Sequence, residues 1–346
     1  MIQKKAKPTR KKSPEVRYDF SQLQWLGGDL DKLKEHLIEH LDLITTYPER
    51  EAETLVRLIS RRLEVHENEV IVTDGATGAL HLIAMQSPNA VSLLLPPTNR
   101  EFTHALERAG HTIRIQEGIK DLAKLELEGV DMVWLSNPNT PDGRFFSRRS
   151  LLTLLRDHPE VTVVLDLSLA GFVVEDNIKA IDIKKYPNLI VVSSFSRLYN
   201  IPGLRVGYMV ATTDRITAFH RNYTPRCVGA LALEASRYIL LHPAQFTIPI
   251  RKWLRDSLDL ADQLDKLEGV NVQYGTTPFF ILSFEESNAK DVASYLLFEH
   301  QLKVGTAEDD LELAPNEIRI TGLPNARANE CLYDALVAYL QQQTNV

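Results

Sequence analysis

The residues best placed to do chemistry lie in Ser193-Ser194-Phe195-Ser196-Arg197 and in the Gly203-Leu204-Arg205-Val206-Gly207-Tyr208 stretch that follows. Serine hydroxyls and a guanidinium this close together suit a phosphate, which arginine grips through two parallel hydrogen bonds. A surface cluster is the alternative, and the apolar run before it and the glycine-flanked run after it argue against one. Gly75-Ala76-Thr77-Gly78 offers a second anion site, because free N–H groups at a helix start attract negative charge and glycine admits a phosphate to the backbone. On its own it is an ordinary strand-to-helix turn. Leu135-Ser-Asn137-Pro138-Asn139-Thr140-Pro141-Asp142-Gly143 is a loop rich in turn formers, which serves either as a turn alone or as a ligand-bearing loop. Asp166 ends an apolar run, where a carboxylate either caps a turn or holds a ligand nitrogen or cation. Arg319, in Ile318-Arg319-Ile320, needs an anionic partner, either an internal carboxylate or that of a substrate.

The elements that would position these groups alternate. EVIVT, VSLLL, HTIRI, DMVWLS, VTVVLD, NLIVVSS and RVGYMV read as strands, with helical patterns between most of them. That alternation predicts an α/β unit with a mainly parallel sheet covered on both faces, and ligands in such sheets sit at the carboxyl ends of strands. After about Asp214 the pattern changes to helices and then to NVQYG, FFILSFEE, LKVGT and EIRIT, followed by a closing helix that carries Leu332, Ala335, Leu336, Tyr339 and Leu340. A smaller α+β domain is expected there. The expected divisions are a disordered basic arm over 1–12, an N-terminal segment over 13–44 joining the small domain, a large domain over 45–240 and a small one over 241–346.

Composition narrows the partners. The 346 residues are 44% hydrophobic and 25% charged, ordinary values for a globular chain. The first twelve residues carry six cations and no acid, leaving 33 cations against 46 acids in the rest, a net of −13. A body this acidic is a poor binder of nucleic acid. No apolar run is long enough for a membrane span. Cys227 and Cys331 lie far apart without metal-like spacing, which suits a reduced cytoplasmic compartment.

Together, these segments resemble the fold-type I pyridoxal-phosphate enzymes, and within them the histidinol-phosphate aminotransferase and threonine-phosphate decarboxylase branch. The most specific stretch is Ser194-Phe-Ser-Arg-Leu-Tyr-Asn-Ile-Pro-Gly-Leu-Arg-Val-Gly-Tyr208. Tyr47-Pro48, Gly75-Ala76-Thr77, Asn-Pro-Asn-Thr-Pro-Asp-Gly, Asp166 and Arg319 agree with it in order and spacing. The resemblance implies that a cofactor phosphate meets the backbone of Ala76 and Thr77, the hydroxyls of Ser194 and Ser196, and Arg205. It implies that Tyr47 reaches the phosphate of a partner subunit in a homodimer and that Phe102 covers the ring face, although the family often has an aromatic residue at the position of Asn99. Asp166 would pair with the pyridine nitrogen, making the ring an electron sink, and Arg319 would hold the α-carboxylate of an amino-acid substrate.

The departures point elsewhere. Arg197 stands where the family has its Schiff-base lysine. Thr140 and Leu169 replace the two partners of the ring hydroxyl, and Leu23 replaces a substrate-side asparagine. Guanidinium keeps its proton and offers no free amine. Losing a positioned general acid–base alone costs ~10²–10⁴ in rate, or ~3–5 kcal/mol of barrier. The expectation is a class I/II aminotransferase-like chain that binds pyridoxal phosphate, pyridoxamine phosphate or another phosphate ligand non-covalently, with transamination impaired or absent. The alternative is an active aminotransferase or threonine-phosphate-type decarboxylase acting on a phosphorylated amino acid. Without ligand, Arg197 should lean toward Asp166 or a bound anion, since a buried guanidinium needs a partner.

Overall fold

The computed structural model describes residues 15–26, 28–309 and 312–344. The expected basic arm over 1–12 lies outside them. In chain order the elements begin with strand β1 (Tyr18–Asp19), helices α1 (Asp31–Glu39) and α2 (Glu53–Leu63), β2 (Val70–Thr73), α3 (Gly75–Gln86), β3 (Val91–Leu94), α4 (Arg100–Ala109) and β4 (Thr112–Ile115). Then come β5 (Met132–Ser136), α5 (Arg148–Asp157), β6 (Thr162–Asp166), β7 (Leu189–Ser194), β8 (Gly207–Val210), α6 (Thr213–Phe219) and α7 (Ala230–Leu241). The last are α8 (Ile250–Leu264), β9 (Val270–Gln273), β10 (Phe279–Phe284), α9 (Ala289–His300), β11 (Leu302–Lys303), β12 (Glu317–Thr321) and α10 (Ala326–Thr344).

Seven strands form one sheet in the order β2-β8-β7-β6-β5-β3-β4, with β8 antiparallel to both of its neighbours and the others parallel to one another. Its central strands are apolar runs because both faces are covered. Leu135, Val163, Leu165 and Val191 enter the core on one face; Met132, Trp134, Val164, Ile190 and Val192 enter the core on the other. This architecture puts the carboxyl ends of β2, β5, β6 and β7 along one edge of the sheet. The register fixes the rows there: Ser136 stands beside Asp166 and Asp166 beside Val192, while Gly207 lies between Ser194 and Thr73.

A second, smaller core gathers around the antiparallel sheet β12-β10-β9 and helices α8, α9 and α10. The N-terminal segment divides between the two cores. Tyr18 and Asp19 pair with Leu302 and Lys303, and Phe20 is sealed in the small core. Helix α1, by contrast, packs on α7 and sends Leu33 into the large core. The expectation that residues 13–44 go over whole to the small domain is therefore corrected. An amphipathic helix shows which face it buries, not which body receives that face. No helix among the described residues is long and apolar enough to cross a membrane.

Leu33→Ala is expected to lower unfolding free energy by ~2–5 kcal/mol, the cost of a buried leucine cavity. Urea unfolding of the variant checks this; a change within ~0.5 kcal/mol would mean that α1 is not docked on the large body.

Candidate ligand cleft

Helix α3 starts directly after β2, so Ala76 and Thr77 lie in its first turn, where backbone N–H groups have no partner within the helix. Gly75 takes a positive φ of 85°, and a β-carbon there would come within 2.6 Å of Arg205 Nη2. The Arg205 guanidinium therefore lies against the mouth of the helix. Gly207 brings β8 in so closely that a β-carbon would stand 2.4 Å from the Gly75 carbonyl carbon and 2.6 Å from the Ala76 nitrogen. Beside them, the Ser196 N–H donates to Ser194 Oγ at 3.0 Å, while the Ser196 hydroxyl is buried with no hydrogen-bond partner. A buried hydroxyl without a partner costs free energy until a ligand supplies one. Arg205, the first turn of α3 and the Ser194–Ser196 turn thus gather at the carboxyl end of the sheet.

Asp166 is buried at the end of β6, and its Oδ1 accepts from the Ser168 N–H at 2.8 Å. Burial pushes its pKa above the ordinary value of 3.8, opposed by hydrogen bonds from Ser168, by the Arg197 charge and by the Asn99 amide. Arg197 sits inside the cleft. Burial lowers its pKa, the Asp166 carboxylate acts most strongly against that, and Arg205 adds repulsion. The expected lean toward Asp166 is thus an electrostatic pairing at a distance; no ion pair within 4 Å joins the two. Arg319 is 4% exposed, donates from Nη2 to the Ser21 carbonyl, and leaves Nε without a partner. Burial, reinforced by Arg197, pushes its pKa down to about 9. Arg205 thus acts against the charge of Arg197, and Arg197 against that of Arg319.

Lysines are elsewhere. Lys184 donates to the Glu64 carbonyl, Lys34 pairs with Asp31, Lys252 with Asp256 and Lys290 with Glu308. Among the described lysines only Lys303 is not exposed, and it lies on β11 of the small body.

One sequence expectation changes here. Phe102 is 0% exposed, packed against Trp134 with ring centroids 5.8 Å apart, so it has no face toward the cleft and cannot cover a ligand ring. The physical reason is the helix start. Asn99 caps α4, accepting from the Glu101 N–H at 3.2 Å, and the residue three positions on turns into the core. The Asn99 amide, not an aromatic ring, acts on Asp166 from this side. Thr140 is buried with an unpartnered hydroxyl, in a loop whose Asn139 is spent on the Pro97 carbonyl and Asp142. Tyr47 is 89% exposed on this chain, with the Arg226 guanidinium 5.6 Å from its ring.

A feature the sequence did not disclose is a wall of apolar side chains next to Arg197. Leu23 and Leu169, two of the departures noted above, are both buried in one cluster with Trp25, Phe172, Trp253 and Phe279, with Leu198 packed against it. The Trp25 N–H donates to the Arg197 carbonyl at 3.2 Å, which ties this wall to the turn that carries the guanidinium.

The parallel strands thus carry at their carboxyl ends a glycine-flanked helix start, a buried aspartate and, beside them, buried arginines. The model of the aminotransferase class I and II family matches residues 27–335, and the chain belongs to that family. Its fold is that of the fold-type I enzymes. The solved structure of L-threonine-O-3-phosphate decarboxylase from Porphyromonas gingivalis is similar with a TM-score of 0.91 and 39% identity, covering 94% of this chain and 99% of that one. Histidinol-phosphate aminotransferase from Sinorhizobium meliloti, solved with pyridoxal-5'-phosphate, shares the fold with a TM-score of 0.80 and 17% identity over 95% of this chain and 92% of that one. Histidinol-phosphate aminotransferase from Staphylococcus aureus (strain MSSA476) is 31% identical over 214 residues, 58% of this chain and 60% of that enzyme. The chain thus spans less than two thirds of the length of the curated relatives it matches.

Asp166 also makes a pH prediction. Its folded-state pKa lies above the unfolded value, so between the two the folded chain binds more protons, and stability falls as pH rises through the interval above about 4. Asp166→Asn removes that cost. The variant is expected to exceed the parent in unfolding free energy at neutral pH, with the gap closing toward pH ~4. Denaturant titrations across that range check it; a gap independent of pH contradicts it.

Proposed function

We propose that this chain is an aminotransferase-like protein that holds pyridoxal phosphate, pyridoxamine phosphate or a related phosphate ligand without a covalent bond, and that ordinary transamination is impaired or lost. The observation that carries the reading is Arg197 inside the cleft between Asp166, Arg205 and Arg319. The cup fits the cofactor's phosphate, since the Ser196 hydroxyl lacks a partner and the Gly75–Gly207 approach leaves backbone N–H groups open to an anion. A bound cofactor would supply an electron-withdrawing pyridine ring.

The chain's own residues divide the work. Ala76, Thr77, Ser194, Ser196 and Arg205 bind the phosphate. Asp166 holds the proton on the ring nitrogen, and Arg319 takes a carboxylate. Arg197 supplies positive charge but no nucleophile and no base, because guanidinium stays protonated across the working range. Thr140 keeps one unpartnered buried hydroxyl, while Leu169 has none to offer. A homodimer belongs to the same reading: Tyr47, Ile38, Leu41 and Ile44 are all exposed along one segment, and a second copy would cover them and bring Tyr47 to its cup. The ligand is a small phosphorylated or amino-acid molecule, and neither nucleic acid nor membrane is a partner.

A second reading, an active aminotransferase or decarboxylase on a phosphorylated amino acid, is favoured by the 39% identity to the Porphyromonas decarboxylase. Absorbance titration with pyridoxal phosphate separates the two. The parent chain is expected to bind it reversibly with no borohydride-reducible adduct. Arg197→Lys is expected to gain a reducible adduct, and Arg205→Ala to weaken binding at least about tenfold, as loss of a charged phosphate contact does. A reducible adduct in the parent, with turnover, establishes the second reading.

A further inference from the structure

Away from the cleft, α1 and α7 bring together three side chains of metal-binding type. One ring nitrogen of His36, one of His40 and one carboxylate oxygen of Glu234 all lie within 4.8 Å of one another. We propose that His36, His40 and Glu234 form a binding site for a divalent transition-metal ion, zinc by preference, that clamps the N-terminal helix to the large body.

The local sequence explains the arrangement. His36 and His40 are four residues apart, at the last turn and the cap of α1, so they project from one face of the helix. Their rings lie side by side, with centroids 4.1 Å apart. Glu234 is an acidic residue in the otherwise largely apolar run Ala230–Leu241, flanked by buried Leu233 and Ala235, and only 9% exposed. It faces α1 across the helix–helix contact, with Oε1 2.8 Å from His36 Nε2.

The surroundings have the features of a metal shell. His40 Nδ1 lies 2.8 Å from the His36 carbonyl oxygen. Donation to that carbonyl leaves the Nε2 lone pair free, the orientation that metal-bound histidines take when their other nitrogen is held by a carbonyl. Arg237 Nη1 donates to Glu234 Oε2 at 2.8 Å, fixing the carboxylate while leaving Oε1 for the ion. The Tyr238 ring lies 4.5 Å from that of His36 and restricts its rotation. Two imidazoles and a carboxylate suit zinc, which takes tetrahedral N/O ligands at ~2.0–2.2 Å and leaves water in the fourth position. Drawing the three atoms to a common ion needs movements of about 1 Å, available to His40 at the end of its helix. On binding, the proton shared between His36 Nε2 and Glu234 Oε1 moves to His36 Nδ1 or to solvent. The ion would also stiffen the stretch that leads to Tyr47.

The competing account is a plain hydrogen bond between His36 and Glu234 that docks α1, and His40 separates the two because it takes no part in that bond. The full chain, freed of metal with a chelator, is titrated with zinc by calorimetry and by thermal unfolding. One ion per chain at micromolar affinity or better is expected, with a rise of at least ~2 °C in Tm under excess zinc. His40→Ala is expected to weaken binding at least about tenfold while leaving the metal-free Tm within ~1 °C, and Glu234→Gln to weaken it similarly. The absence of stoichiometric binding by the parent chain, or parental affinity in His40→Ala, overturns the site.

Discussion

The cleft is organised by a charge that cannot be discharged. A lysine at the turn after β7 can shed its proton and become a nucleophile; Arg197 cannot. It is held where burial works against its charge and where Asp166 is the strongest attraction, and its field extends to Arg205 and Arg319. Asp166 and Glu101 act in favour of the Arg197 charge, and Asp309 and Asp19 in favour of that of Arg319, yet both guanidiniums stay below their ordinary pKa, so the buried positive charge is undercompensated. A buried excess of this kind is stabilised by an anion. On the proposed function, the groups at the start of α3 and Arg319 act as parts of one anion receptor that has no covalent anchor for its ligand.

The other departures from the family pattern are physically linked to that one. Leu23 and Leu169 come from distant parts of the chain, yet both enter the cluster built on Trp25, Phe172, Trp253 and Phe279. The Trp253 indole N–H is satisfied by the Gly322 carbonyl. Where the resemblance leads one to expect polar groups directed at a ring and a substrate, the chain has packed an apolar wall, and the backbone of Trp25 braces the Arg197 turn. The cluster thus meets the Arg197 turn at its backbone, through the Trp25 N–H and through the neighbouring Leu198.

Much of the scaffold was legible in the sequence because buried parallel strands are short apolar runs. VTVVLD and NLIVVSS announced β6 and β7 and placed Asp166 and Ser194 at strand ends. The positions of Gly75, Ser194 and Gly207 were legible for the same reason: glycines and serines at strand ends are constrained by local geometry. Phe102 was misassigned because its direction depends on where α4 begins, and Asn99 had been weighed as an absent aromatic, not as a helix cap. The apolar wall was invisible because Leu23, Leu169 and Trp253 meet only in three dimensions. The docking of α1 was hidden likewise, since the His36–Glu234 contact joins residues 198 positions apart.

The most direct measurement is a crystal structure of the protein grown with pyridoxal phosphate. The account predicts the phosphate seated on the Ala76 and Thr77 backbone with Ser194, Ser196 and Arg205 around it, and the aldehyde carbon bonded to no side chain. Continuous density from that carbon to a lysine would contradict it.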